Sequence, residues 1–383
     1  MEKKQSNPQV KTSIWRRILH ALNLNDLPRL IRDTGFWAGI IVRTATLIGF
    51  LMFLDIAGDI NDMNELVFKG IANFVQLINP YSQTYVLHTF GGPYTQDYFN
   101  YPPFAILFHL PCLLWLGPQS IGTIDFMPSF FVLHVFFDFI TYYRLWQNGH
   151  QHISKIIWIN PFSVFVNIIT FMSLPLMLIT LTILNLDYPF RTGLYSVLLA
   201  TTYQMGAIFI PFILVYHLKN GQLRKNILGM IVPLLVTLVF FLWLPDGPIR
   251  FTRDLLIMQV GRPPVNWQDP NPLSPYYNRY YPAAFLFMGS IPSIVFNLGI
   301  ALGIPAQLAP QFAPIMMASI VGLGLLSLLY YVKYPRKALT IFIPGVLLAL
   351  FIASTAEGLS HYWVLCLTLP FLFWQQKASF FSP

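Results

Sequence analysis

The chain has 383 residues, 55% of them hydrophobic and only 10% charged, with a mean hydropathy of +0.58. A soluble domain carries about 25% charged residues, so this composition excludes an ordinary water-facing globule. The net charge of +8 is scattered over short segments such as Arg16-Arg17 and Lys219/Arg224/Lys225, which is the pattern of cytoplasmic flanks of membrane spans rather than of a nucleic-acid surface.

The first 35 residues are polar and basic and are expected to lie in the cytoplasm. The first apolar run, 36–54, has no small-residue cleavage site behind it, so it is expected to be retained as a span. Arg43, in its first half, is expected to snorkel or to pair locally. Further apolar runs lie at about 102–117, 126–143, 156–170, 172–186, 194–218, 226–244, 283–303, 312–332, 338–353 and 361–375. They are continuous rather than alternating and approach the length of the hydrocarbon core, which selects helices over a barrel. The expected fold is all-α: one polytopic transmembrane domain of about 10–11 spans. A prokaryotic plasma membrane and an ER membrane are both compatible, since no Asn-x-Ser/Thr acceptor occurs. The two cysteines, Cys112 and Cys366, fall in apolar runs and make neither a metal cluster nor a disulfide framework.

Two long polar stretches interrupt the spans, 55–101 and 245–282, and a cytoplasmic N-terminus puts both on the outer face. Two places strain this count. Arg144 with Lys155, and Lys333 with Arg336 and Lys337, would also fall outside, so one run, 283–303 for example, is expected to be re-entrant or interfacial. Within the first stretch, 62–78 has apolar residues at helical spacing and is expected to form an amphipathic helix on the membrane, ended by Asn79-Pro80. A small echo follows, PYSQTY at 80–85 and PYTQDY at 93–98.

The acids that could carry chemistry open the first stretch: Asp55, Asp59, Asp62 and Glu65. Partial desolvation at a membrane interface would raise a carboxylate toward the range of a general base, whereas a solvated helix N-terminus would explain the same acids without chemistry. Asp138, with His134 one turn earlier, sits within an apolar run, where a structural hydrogen bond to a neighbouring helix and a functional role both fit. His150 and His152 read as a surface loop, and Trp243, Trp267 and Trp363 as interfacial aromatics.

DMNELVF (62–68), Pro80-Tyr81, Tyr101-Pro102, LSPYYNRYY (273–281) and SHYWVLCLTLP (360–370) occur in the order of a known pattern. On these motifs the chain resembles the GT-C membrane glycosyltransferases that use polyprenyl-phosphate-linked sugars. Within them it is most similar to the dolichol-phosphate-mannose-dependent enzymes adding the first mannose of GPI precursors. The resemblance implies an inverting transfer of a hexose, mannose by likeness, from a polyprenyl phosphate to a glycan or glycolipid acceptor outside the cytoplasm. It implies Asp62 as base, with Asp59 as the other carboxylate because Asn64 stands where a second acid is expected. Arg262, Arg279 and His361 are candidates for the donor phosphate, and Asn64, Tyr81 and Tyr101 for the acceptor or sugar. No metal-ligand cluster is visible and no cofactor is required, although a divalent metal stays open. The rival reading is a lipid or sugar transporter, which would place its polar site at mid-membrane on broken helices, often in two similar halves.

Overall fold

The computed structural model describes residues 26–52, 62–82, 84–87, 95–99, 101–113, 127–161, 164, 172–243, 249, 291–302 and 312–354. They are mostly helical. After a helical turn at Leu27–Leu30 come α1 (Thr34–Met52) and α2 (Asp62–Val75). An antiparallel hairpin follows, β1 (Thr84–Leu87) with β2 (Thr95–Tyr98). The next helices are α3 (Pro103–His109), α4 (Met127–Gln147), α5 (Gln151–Ile159), α6 (Ser173–Leu184), α7 (Pro189–Ala200) and α8 (Ile210–Lys219). The last are α9 (Leu223–Trp243), α10 (Ile291–Ala301), α11 (Phe312–Lys333) and α12 (Leu339–Ser354).

Helix α9 has 21 residues and a mean hydropathy of 2.3 in its most apolar window, long and apolar enough to cross a membrane. Its buried residues, Asn226, Gly229, Met230, Pro233 and Phe240, form one stripe at helical spacing. Leu228, Val232, Leu235 and Val239 face outward and are exposed.

Two helices set the axis of the bundle. At one end of α9, Asn226 donates from Nδ2 to the Pro189 carbonyl at 2.9 Å, and at the other end Phe240 and Trp243 pack on Phe74 of α2. Helix α4 runs the opposite way, from Phe130 against Phe68 of α2 to Gln147, which donates toward Asp26 at 3.5 Å. The bundle therefore has an α2 end and a second end that carries Asp26 and Pro189.

Most of the basic residues described gather at that second end, with Lys69 of α2 and the buried Arg43 as exceptions. Lys155 pairs with Asp33 at 3.0 Å and Lys337 with Asp187 at 2.5 Å, while Arg144 and Arg191 share a cleft with Asp26. Both awkward groups in the sequence count, Arg144/Lys155 and Lys333/Arg336/Lys337, thus lie with the other cations. Two departures from the expected runs explain this. Tyr101 and Phe130 both belong to the α2 end, so the described helices α3 and α4 together make one traverse of the bundle. The 194–218 run is two helices rather than one. It breaks after Ala200 into a 3-10 segment, Gln204–Phe209, and resumes at α8 with a proline in its first turn. Proline suits a helix start because the missing N–H would have no partner there.

Helices α7 and α9 approach backbone to backbone, and glycine permits it. A Cβ on Gly193 would lie 2.1 Å from the Asn226 carbonyl oxygen, and one on Gly229 would lie 2.0 Å from that of Phe190. Only hydrogen fits at either position.

Candidate functional site

The α2 end holds three of the sequence motifs that point to chemistry, at 62–68, 80–81 and 101–102. Asp62 is the first residue of α2, and Asn64 lies in its first turn. An acid at a helix N-terminus is favoured by the partial positive charge of the unpaired N–H groups. The apolar face of α2 is covered by the chain itself: Leu66, Val67, Phe68 and Ile71 are buried in the main core. Gly70 lets the Phe99 ring approach, since a Cβ there would meet it at 2.7 Å. The helix forms where its spacing predicts, and the surface it covers is protein.

Helix α2 ends before the Asn79-Pro80 pair. Leu77 adopts a left-handed conformation with φ 61°, and the Ile78 N–H donates back to the Asn73 carbonyl at 2.8 Å. This reversal satisfies carbonyls of the last turn. Asn79 then accepts from the Tyr81 N–H through its side-chain oxygen at 2.9 Å, a local turn typical of asparagine.

Tyr81 links the two tyrosine motifs. Its hydroxyl donates to the Tyr101 carbonyl at 2.9 Å, with Tyr81 fully buried and Tyr101 nearly so. Its ring meets Phe99 edge-on and leans on Phe241 of α9. Tyr101 and Pro102 lead into α3, and the Phe104 N–H donates to the Thr201 carbonyl at 2.9 Å. DMNELVF, Pro80-Tyr81 and Tyr101-Pro102 are therefore one packed unit. The repeated segments at 80–85 and 93–98 also meet, for β1 pairs with β2 in the register Thr84↔Tyr98 and Tyr85↔Asp97.

Among the sequence candidates, the structure brings Tyr81 and Tyr101 together and places Asp62 and Asn64 in the first turn of α2. Asp59, Arg262, Arg279 and His361 lie outside the described residues, as do Trp267, Trp363 and Cys366. Among the described residues no three or more His, Cys, Asp or Glu side chains come close enough to hold a metal ion.

No protein-family profile, curated protein or solved structure matches this chain.

A buried polar layer lies between the two ends. Arg43 of α1 pairs with Asp138 of α4 at 2.7 Å, and the Arg43 guanidinium also donates to the Gly39 and Trp158 carbonyls. Its carbon sits 3.6 Å from the centre of the Trp158 ring, a stacked cation–π contact. Nearby on α4, His134 approaches His109 with Nε2 atoms 3.2 Å apart, while His109 Nδ1 lies 2.6 Å from the Ala105 carbonyl. A carbonyl can only accept, so His109 carries its proton on Nδ1 and offers a lone pair at Nε2. His134 must then donate from its own Nε2. His109 is the residue that sequence reasoning passed over. Its one signal is a histidine near the end of an apolar run, which says nothing of a partner 25 positions away.

Proposed function

We propose that this chain is a multi-pass membrane glycosyltransferase of the GT-C type that moves a hexose from a polyprenyl-phosphate carrier to an acceptor on the non-cytoplasmic side. The observation that carries the reading is the position of Asp62. It heads α2, whose residues Leu66, Val67, Phe68 and Ile71 are buried in the same core as Tyr81 and Tyr101, at the end of the bundle opposite most of the cations. The basic end is taken as cytoplasmic, in keeping with the excess of Lys and Arg on that side of membrane proteins. Exposed leucine and valine along α9 and α11, such as Leu235, Val239, Leu325 and Leu329, suit contact with lipid.

The chemistry asks little of the protein. The acceptor O–H attacks the anomeric carbon, the bond from that carbon to the phosphate oxygen breaks, and the polyprenyl phosphate leaves with the electron pair. The acceptor proton goes to Asp62. Arg262, Arg279 and His361 are the candidates for the charge that develops on the phosphate, and a guanidinium fork suits two phosphate oxygens at once. Asp59 is the alternative base.

The test is turnover of a polyprenyl-phosphate hexose by purified protein, with mannose as the first sugar tried. Asp62→Asn should fold and lose on the order of 100-fold or more in kcat, the range of a positioned general base. Loss in Asp59→Asn alone would move the role to Asp59, and turnover that survives both changes defeats the mechanism. Movement of the intact lipid-linked sugar across a vesicle bilayer, with no bond broken, would instead identify a transporter.

A further inference from the structure

The basic end of the bundle contains a cleft of about 460 Å³ between the C-terminus of α4, the α6–α7 turn and Asp26. Two guanidinium groups line it, Arg144 from α4 and Arg191 from the first turn of α7, together with Gln147, Tyr188 and Tyr195. Its charges do not balance. Asp26 is the acidic residue of the lining, and Arg29 already stands 3.6 Å from it. Arg144 donates to the Gln147 side-chain oxygen at 3.0 Å, and Arg191 lies over the Tyr188 ring at 5.3 Å. Neither has a carboxylate partner among the described residues.

Arg191 is also on the wrong end of its helix. The first turn of α7 has no acidic residue and begins with a proline, so its unpaired N–H groups already present positive charge. A cation placed there is destabilising on its own, and an anion in the cleft would be attracted by the helix end and both guanidinium groups together. Two planar forks, an amide and phenol groups suit the several oxygens of a phosphate better than the two of a carboxylate. Leu181 and Leu184 complete a mostly polar lining, and the cleft's volume is within the range of small-molecule sites.

We propose that this cleft is a phosphate-binding site, separate from the α2 end and independent of the glycosyl-transfer reading. A phosphate there has two sources, the headgroup of an anionic lipid or a soluble phosphate ester. The cluster of cations around the cleft suits an anionic leaflet.

The experiment follows thermal unfolding of the full-length protein in neutral detergent at constant ionic strength. One arm adds phosphatidylglycerol, with phosphatidylcholine as the reference; the other adds glycerol phosphate without charged lipid. Phosphatidylglycerol should raise Tm in a saturable way. Arg144→Gln and Arg191→Gln should each weaken its apparent affinity by roughly 10- to 150-fold, the worth of a hydrogen bond to a charged group. Arg191 is exposed, so its substitution reads the site even if the Arg144 variant folds poorly. A Tm rise with glycerol phosphate as well identifies a soluble ligand, and a rise with the lipid alone identifies a headgroup site. Lys219→Gln/Lys225→Gln, which removes two charges away from the cleft lining, should leave the affinity unchanged. The proposal fails if neither probe raises Tm, if the arginine variants keep the wild-type response, or if the lysine variant loses as much.

Discussion

Arg43 and Asp138 stand 95 residues apart in the chain and meet as an ion pair of 2.7 Å in which both side chains are 3% exposed. Each solves a problem for the other, because an isolated charge in such surroundings would be strongly unfavourable. Removing one partner leaves the other uncompensated. Asp138→Leu should therefore destabilise the protein by about 3–5 kcal/mol, and Arg43→Met/Asp138→Leu should recover most of that loss. Unfolding of the two single variants and the double variant in detergent measures the coupling. Additive losses would show that the pair contributes nothing beyond its separate neighbours.

The α7–α9 crossing gives a sharper packing test. Gly193 and Gly229 each face a carbonyl oxygen of the opposite helix, at 2.1 and 2.0 Å from the position a Cβ would take. A backbone cannot yield as a flexible side chain can, so Gly193→Ala or Gly229→Ala should lower stability by about 1–3 kcal/mol or more. Gly322 in α11 is the internal control, since nothing lies within 4 Å of its Cβ position. Gly322→Ala should be neutral or gain up to about 1 kcal/mol from helix propensity. A thermal melt of all three variants reads the contrast directly.

Tyr81→Phe removes one hydroxyl and leaves the ring in place. With its donor lost, the Tyr101 carbonyl loses a buried hydrogen bond of 2.9 Å, and stability should fall by about 1 kcal/mol. If Tyr81 acts through the fold beneath Asp62, transfer assays on the folded fraction should show a lower kcat with KM for the acceptor little changed. A rise in acceptor KM alone would assign the hydroxyl to acceptor binding.

The Asp33–Lys155 pair makes a pH prediction. Burial works to raise the Asp33 pKa, but the hydrogen bond from Lys155, the Gly35 N–H and the Lys155 charge outweigh it and hold the carboxyl below its ordinary 3.8. A depressed carboxylate pKa contributes stability above the unfolded value, and that contribution is lost as the pH falls through the folded one. Lys155 is 37% exposed, so the contribution is under about 1 kcal/mol. Lys155→Gln should therefore be less stable than wild type at pH 7, with the difference closing as Asp33 is protonated in acid. A gap that stays constant down to pH 2 would assign the loss to packing of the lysine stem.

The amphipathic helix at Asp62–Val75 and the long apolar α9 were both legible, because each is written in spacing or composition over neighbouring residues. Helical periodicity and hydropathy are local properties, and local properties survive in a sequence. The direction of each run was not legible. A run of apolar residues looks the same whether it crosses the bundle or turns back, so counting runs put Arg144 and Lys155 apart from the other cations. Contacts of Lys155 with Asp33 and of Lys337 with Asp187 correct it. The partner of a buried charge was equally hidden. Arg43, expected to snorkel or to pair locally, pairs instead with Asp138 on another helix, and Asp138 makes the bond to a neighbouring helix that its place in an apolar run suggests, with α1 as the helix concerned. Such a choice depends on which helices touch, and side chains brought together across 95 residues leave no periodic trace along the chain.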